Sequence, residues 1–188
     1  MRIALFGGSF NPPHVGHQMA ALYVLETAPV DELWFVPAFR HPFDKPLGPF
    51  PDRLRMCELA AAALGPRARV SDIEASLGGA SRTLRTVQTL MARHPDDAFS
   101  LVIGADLVEQ VDTWHGADEL RSLISFLVVG RAGRGDATAF DIPDINSTDI
   151  RAALAAGRSP SGQVPKSVLD YIASRGLYGS SSTDRPPA

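Results

Sequence analysis

Lysine is almost missing from this chain: Lys45 and Lys166 are the only two among 18 basic residues. Arginine supplies the remaining cationic side chains, and its planar guanidinium binds phosphate or carboxylate bidentately, as an ammonium does not. The formal net charge of -3 and the sequence pI near 5.9 give no global positive field. This argues against a protein that coats nucleic acid, so any anion site has to be local. Cysteine occurs once, as Cys57 within the apolar helical run LRMCELAAAAL. No disulfide can form within the chain, a reducing compartment fits, and Cys57 reads as a core residue. No window approaches the roughly 18 apolar residues of a membrane span, and the apolar start MRIALFGG is too short for a signal-peptide core. The expectation is a cytoplasmic protein with no membrane partner.

What is present is enough for one core. A chain of 188 residues with 45% hydrophobic content favours a single domain, placed at 1–178, with the polar tail 179–188 (GSSSTDRPPA) expected to be disordered. Apolar β-rich runs at 2–6, 32–37, 68–73, 99–104 and 124–130 read as strands. Helical periodicity falls at 15–28, 51–64, 81–94, 105–111, 116–122, 148–157 and 165–175. Strand and helix alternate, which predicts an α/β fold: a doubly wound parallel sheet covered on both faces. Loops 38–51 and 131–147 are rich in Pro and Gly, and the second is long enough to hide a short strand near 139–145. Ligands of such sheets bind beyond the carboxyl ends of the strands, where these loops lie.

Strand 2–6 runs directly into GGSFNPPHVGH, residues 7–17. Gly7 and Gly8 carry no side chains, so with Ser9 and Phe10 they let backbone N–H groups approach a polyphosphate. His14 and His17, three apart at a helix start, project to the same side and add donors to the partial positive charge of the helix N-terminus. A zinc site fits less well, because the spacing is three rather than the four of HExxH and no Glu or Cys stands nearby; no metal ligand is assigned. Near the other end, Asn146-Ser147-Thr148-Asp149-Ile150-Arg151 opens an Ala-rich helix, with Ser147 or Thr148 placed to cap it. It is a helix cap on any reading and, with Arg151 one turn on, a second anion site on the functional one. Ile103-Gly104-Ala105-Asp106 ends a strand with a carboxylate where a ribose hydroxyl could be held, or where it could simply cap a short helix. Trp114, followed by His115, offers a flat face for stacking or for core packing.

Residues 7–17 resemble the G-(T/S)-F-(D/N)-P-x-H-x-G-H signature of the nucleotidyltransferase superfamily, and most closely that of bacterial nicotinate-nucleotide adenylyltransferases. NSTDIR resembles the family's (I/V)-S-(S/T)-T-x-(I/L)-R segment with Asn146 in place of a serine, IGAD matches directly, and SGQVPKSVLDYIASRGLY resembles its terminal segment. The resemblance spans 1–178 and implies a Rossmann-like domain. It also implies that His14, His17, Ser147, Thr148 and Arg151 contact the ATP phosphates, and that Trp114 and His115 meet the nicotinate ring. Arg131 matches the family's arginine after its strand. Lys45, in HPFDK, stands one residue from the lysine of the family's PPHK, and is a triphosphate contact or an exposed charge. Ser81-Arg82-Thr83 corresponds to the family's S-Y-T, with Thr83 kept and Arg82 a departure that either meets an acidic group of the acceptor or lies on the surface.

The implied chemistry is transfer of AMP from ATP, with Mg²⁺ on the nucleotide, to nicotinate mononucleotide. Nicotinamide mononucleotide is the neighbouring alternative. A nucleotide-binding module without chemistry is the distant one, and it predicts a missing phosphate-binding residue, whereas His14, His17, Thr148 and Arg151 are all present.

Overall fold

Four of the strands are nearly unbroken apolar runs, which only a sheet covered on both faces can bury. The computed structural model describes residues 1–41, 45–131 and 141–179. In chain order these form β1 (Arg2–Gly8), α1 (Val15–Thr27), β2 (Glu32–Pro37), α2 (Phe50–Ala62), β3 (Ala68–Val70), α3 (Ile73–Leu77) and α4 (Thr83–Arg93). Then come β4 (Ala98–Gly104), a 3₁₀ helix (Ala105–Thr113), α5 (Ala117–Leu123), β5 (Ser125–Arg131), β6 (Asp141–Ile142), α6 (Ser147–Ala155), α7 (Lys166–Arg175) and a 3₁₀ turn (Leu177–Gly179). The expected tail lies, apart from Gly179, outside the described residues.

The sheet has the order β3-β2-β1-β4-β5-β6, and every pairing is parallel. This is the doubly wound α/β fold expected from the alternation of strands and helices, with its switch of winding direction between β1 and β4. Successive strand residues face opposite ways. Ala4, Leu33, Phe35 and Val102 therefore pack with Val24 and Leu25 of α1 and Cys57 and Ala61 of α2. Ile3, Leu5, Leu101 and Ile103 pack on the other face with Leu84, Val87 and Leu90 of α4 and Leu120 of α5. Cys57 is buried as expected, and burial raises its thiol pKa, which keeps it protonated.

The outer face of α2 carries a further layer. Met56 and Ala60 meet Ile150 and Leu154 of α6 and Val168 and Ile172 of α7. The C-terminal helices thus dock on α2 rather than on the sheet, and this carries the start of α6 to the loop after β1.

One stretch departs from the pattern read in the sequence. A strand over 68–73 is expected, but β3 ends at Val70 and residues 73–77 are helical. β3 is an edge strand paired only with Leu33, Trp34 and Phe35. After the Ser71 N–H has bonded the Phe35 carbonyl, the Ser71 hydroxyl accepts from the Ile73 N–H and turns the chain into α3. Ile73 is apolar because that helix buries it, not because it extends a strand. Across the sheet, Leu90 is 2% exposed at the centre of the α4 face. Leu90→Ala is expected to lower unfolding stability by about 2–5 kcal/mol in a denaturant titration, and a change under about 1 kcal/mol would contradict this packing.

Candidate active site

The strands part where the winding changes direction. β1 pairs with β2 as far as Gly8 opposite Pro37, but with β4 only as far as Leu5 opposite Leu101. Beyond that point the ends of β1 and β4 open a cavity of about 220 Å³, walled by Gly7, Gly8 and Ser9 on one side and Val102 and Ile103 on the other.

The loop leaving β1 is shaped by its packing. Phe10 has a positive φ of 44°, the Asn11–Pro12 peptide is cis, and the buried Phe10 ring stands edge-on to Phe6, Phe35 and His17. A Cβ on Gly8 would come within 3.0 Å of that ring, and one on Gly16 within 3.0 Å of His14 Nδ1. A Cβ on Gly7 would meet nothing within 4 Å. Gly8 and Gly16 are small because protein fills their space, whereas Gly7 faces open space at the cavity mouth.

His14 begins α1 and is 2% exposed. Its backbone N–H donates to His17 Nδ1 at 3.1 Å, so neutral His17 carries its proton on Nε2. The two rings stack with centroids 3.6 Å apart and planes 31° apart. The two imidazoles read from the sequence as neighbours are in contact.

The second motif reaches the first directly. Ser147 Oγ donates to the Pro12 carbonyl at 2.9 Å, and Arg151 Nη1 donates to the Asn11 carbonyl at 2.8 Å and the Ser147 carbonyl at 3.1 Å. Thr148 Oγ1 accepts from Arg151 Nη2 at 3.4 Å. The cap of α6 is Asn146, not Ser147 or Thr148: its Oδ1 accepts from the Asp149 N–H at 2.9 Å, while the Ser147 hydroxyl is turned to the loop. The substitution that looked like a small departure in sequence is therefore the capping residue itself.

Three residues that sequence reasoning did not single out also hold this loop. Asn11 Oδ1 accepts from the Gly48 N–H at 3.1 Å and from the Tyr178 hydroxyl at 2.7 Å. Arg53 Nη1 donates to the Ser9 carbonyl at 2.9 Å. Nothing in the helical run around Arg53 distinguishes it from the exposed Arg55, and Tyr178 is remote in sequence.

The far wall is mixed. Val36, Ala38, His41, Ser81, Thr83, Thr86, Leu107 and Trp114 line it, with Glu74 buried and accepting from the Thr86 hydroxyl. Thr83 and Trp114 thus border the cavity, whereas Arg82 and His115 are exposed and outside its lining. Asp106 sits in the first turn of the 3₁₀ helix, and its carboxylate folds back over Gly104, where a Cβ would collide with it. Lys45 is exposed at the edge of the described residues, and the Arg131 side chain lies outside them. His41 was not singled out either. Burial first, and the nearby Lys45 second, hold its imidazole below its ordinary pKa of 6.5.

Comparison with known proteins identifies what this arrangement is similar to. Residues 5–153 match the family model described as cytidylyltransferase-like. The chain is 48% identical over 180 residues, 94% of its length and 96% of the relative's, to a protein of Anaeromyxobacter dehalogenans named "Probable nicotinate-nucleotide adenylyltransferase". It is 41% identical, over 95% of each chain, to one of the same name from Myxococcus xanthus. Among solved structures, the Plasmodium falciparum nicotinic acid mononucleotide adenylyltransferase complexed with NaAD superposes with a TM-score of 0.82 at 21% identity, covering 96% of this chain and 98% of that one; this likeness is one of fold.

The lowered pKa of His41 can be checked by titration. Its NMR midpoint is expected below 6.5, and Lys45→Ala should raise it only part of the way back, since burial is the larger cause. Because the folded value lies below the unfolded one, acidification through this window protonates the unfolded chain first, so His41 makes stability fall as pH drops. A midpoint at or above 6.5 would contradict this placement of the ring.

Proposed function

This chain belongs to the cytidylyltransferase-like family and, within it, to the nicotinate-nucleotide adenylyltransferases, and from that membership we propose how its cleft works. The enzyme transfers AMP from ATP to the 5'-phosphate of nicotinate mononucleotide, giving nicotinate adenine dinucleotide for NAD synthesis and pyrophosphate. The observation that carries the site assignment is the direct joining of the two sequence motifs: Ser147 and Arg151 bond the carbonyls of the same loop that bears His14 and His17.

An oxygen of the acceptor phosphate attacks the α-phosphorus in line. The bond from that phosphorus to the oxygen bridging to the β-phosphorus breaks, and pyrophosphate leaves with the electron pair. The attacking phosphate is already ionised at neutral pH, so the residues need to position and neutralise rather than to remove a proton. The backbone of Gly7, Gly8, Ser9 and Phe10 receives the triphosphate, with Nε2–H of His17, the ring of His14, and Thr148 and Arg151 at the start of α6. Lys45 and Arg131 extend the same role from their loops. Asp106 and Gly104 hold the ribose side. Thr83 and Trp114 face the pyridine ring, with Arg82 and His115 outside them at the rim.

ATP enters as its magnesium complex. Among the described residues no group of three acidic, His or Cys side chains could hold a metal, and the donors at the loop suit the phosphate oxygens themselves. No helix among the described residues is long and apolar enough to cross a membrane; the reaction is placed in the cytoplasm, where its nucleotide substrates are made. The catalytic unit is taken as residues 1–178.

Purified enzyme with ATP and nicotinate mononucleotide is expected to release pyrophosphate, with nicotinamide mononucleotide the poorer acceptor by at least about tenfold in kcat/KM. The reverse order, or no release with either, would overturn the acceptor assignment. Gly7→Ala adds a Cβ only to the open space at the cavity mouth. It should leave unfolding stability within about 0.5 kcal/mol and weaken ATP binding by at least about tenfold by calorimetry, whereas unchanged affinity would remove Gly7 from the nucleotide site.

A further inference from the structure

Arg53 is the most deeply buried cation among the described residues, at 1% exposure, and the phosphate-binding roles assigned above do not use it. Its guanidinium donates to three backbone carbonyls that are far apart in sequence: Ser9 through Nη1 at 2.9 Å, Gly48 through Nε at 2.9 Å and Phe39 through Nη2 at 3.3 Å. Its Cζ lies 5.4 Å from the Phe50 ring centroid. The adjacent carboxylate, Asp52, is turned instead to the Tyr171 hydroxyl and Arg175. Truncating Arg53 would leave three carbonyls without their donor, which costs stability, but a cation buried among neutral carbonyls is itself costly to desolvate, so stability alone does not call for an arginine here. A planar fork of five N–H donors is a good device for fixing several carbonyls at set distances.

Those carbonyls belong to both halves of the cleft. Ser9 belongs to the loop on the ATP side, and Phe39 follows Ala38 of the opposite wall. Phe39 and Gly48 are the two ends of the segment that carries His41 and Lys45. Each end has a second tie: the Phe39 N–H donates to Ser81 Oγ at 2.9 Å, and the Gly48 N–H to Asn11 Oδ1. Resting on the proposed two-substrate reading, we propose that Arg53 is a positioning residue that holds the ATP loop at a fixed separation from Phe39 and Gly48, so that the incoming phosphate meets the α-phosphorus in line. It touches neither substrate and acts through Ser9, Phe39 and Gly48.

The test compares Arg53→Met, Arg53→Lys and Gly48→Ala with wild type in steady-state kinetics, well below the unfolding temperature. Ile172→Ala serves as a control for lost stability, because Ile172 is buried in the α2–α7 layer and does not line the cavity. Arg53→Met is expected to raise KM for both ATP and nicotinate mononucleotide at least tenfold and to lower kcat. Arg53→Lys keeps the charge but not the three-way fork, and should recover less than half of the lost kcat/KM. A Cβ on Gly48 would come within 3.0 Å of Asn11 Oδ1, in the loop assigned to ATP, so Gly48→Ala should raise KM for ATP at least as much as for the mononucleotide. Ile172→Ala should lower the unfolding temperature and leave both KM values as they were. Should Arg53→Met fail to fold, Arg53→Lys and Gly48→Ala carry the test. Wild-type constants in folded Arg53→Met, or full recovery in Arg53→Lys, would overturn the inference while wild-type turnover keeps the reaction itself. If the wild type does not turn over, the reaction assignment fails instead. Calorimetric ATP affinity then decides on Arg53: tenfold weakening in Arg53→Met supports a positioning role, and none refutes it.

Discussion

A loop proposed to receive a polyphosphate through its own backbone has to dispose of its carbonyls, which would otherwise repel the anion. Here the Gly8 carbonyl accepts from the Ala38 N–H, Ser9 from Arg53, Asn11 from Arg151 and Pro12 from Ser147. Each donor comes from outside the loop, three of them from helices that follow β1 by more than forty residues. Glycines alone would leave such a segment free to sample many conformations; these bonds, with the buried Phe10 ring, hold it in one. The rest of the site depends on that arrangement, because His14, His17 and the start of α1 are placed by it.

The same requirement accounts for the layer formed by α6 and α7. Packing of Ile150 and Leu154 against Met56 and Ala60 of α2 brings Ser147 and Arg151 to the loop, and Tyr178 returns to Asn11 just beyond α7. The C-terminal third of the chain therefore contributes to the loop after β1 without adding a strand over the site. The early end of the β1–β4 pairing supplies the space, and Thr83 and Trp114 border it on the opposite wall.

Much of this was legible in the sequence, because the apolar strand runs and the helical periods are local signals. The parallel sheet, the loop after β1 and the start of α6 could all be placed from them. β3 and α3 were not separable, since Ile73 is apolar in either setting and the turn at Ser71 depends on a bond to Phe35 in the neighbouring strand. The sequence offers Ser147 or Thr148 as the cap and Asn146 only as a small departure from the motif, because the capping role of Asn146 depends on where the Ser147 hydroxyl points. Arg53 and Tyr178 were invisible for the same reason. Their partners are 44 and 167 residues away, and only the fold shows that these arginine and tyrosine side chains end at the loop after β1.

In the proposed mechanism, positioning by this loop suffices for a single direct displacement at the α-phosphorus, with no covalent enzyme intermediate. The most direct measurement is the stereochemical course with ATP made chiral by sulfur at the α-phosphorus. Inversion of configuration in the dinucleotide product is the predicted result; retention would require two displacements and an adenylated enzyme, and would contradict the account.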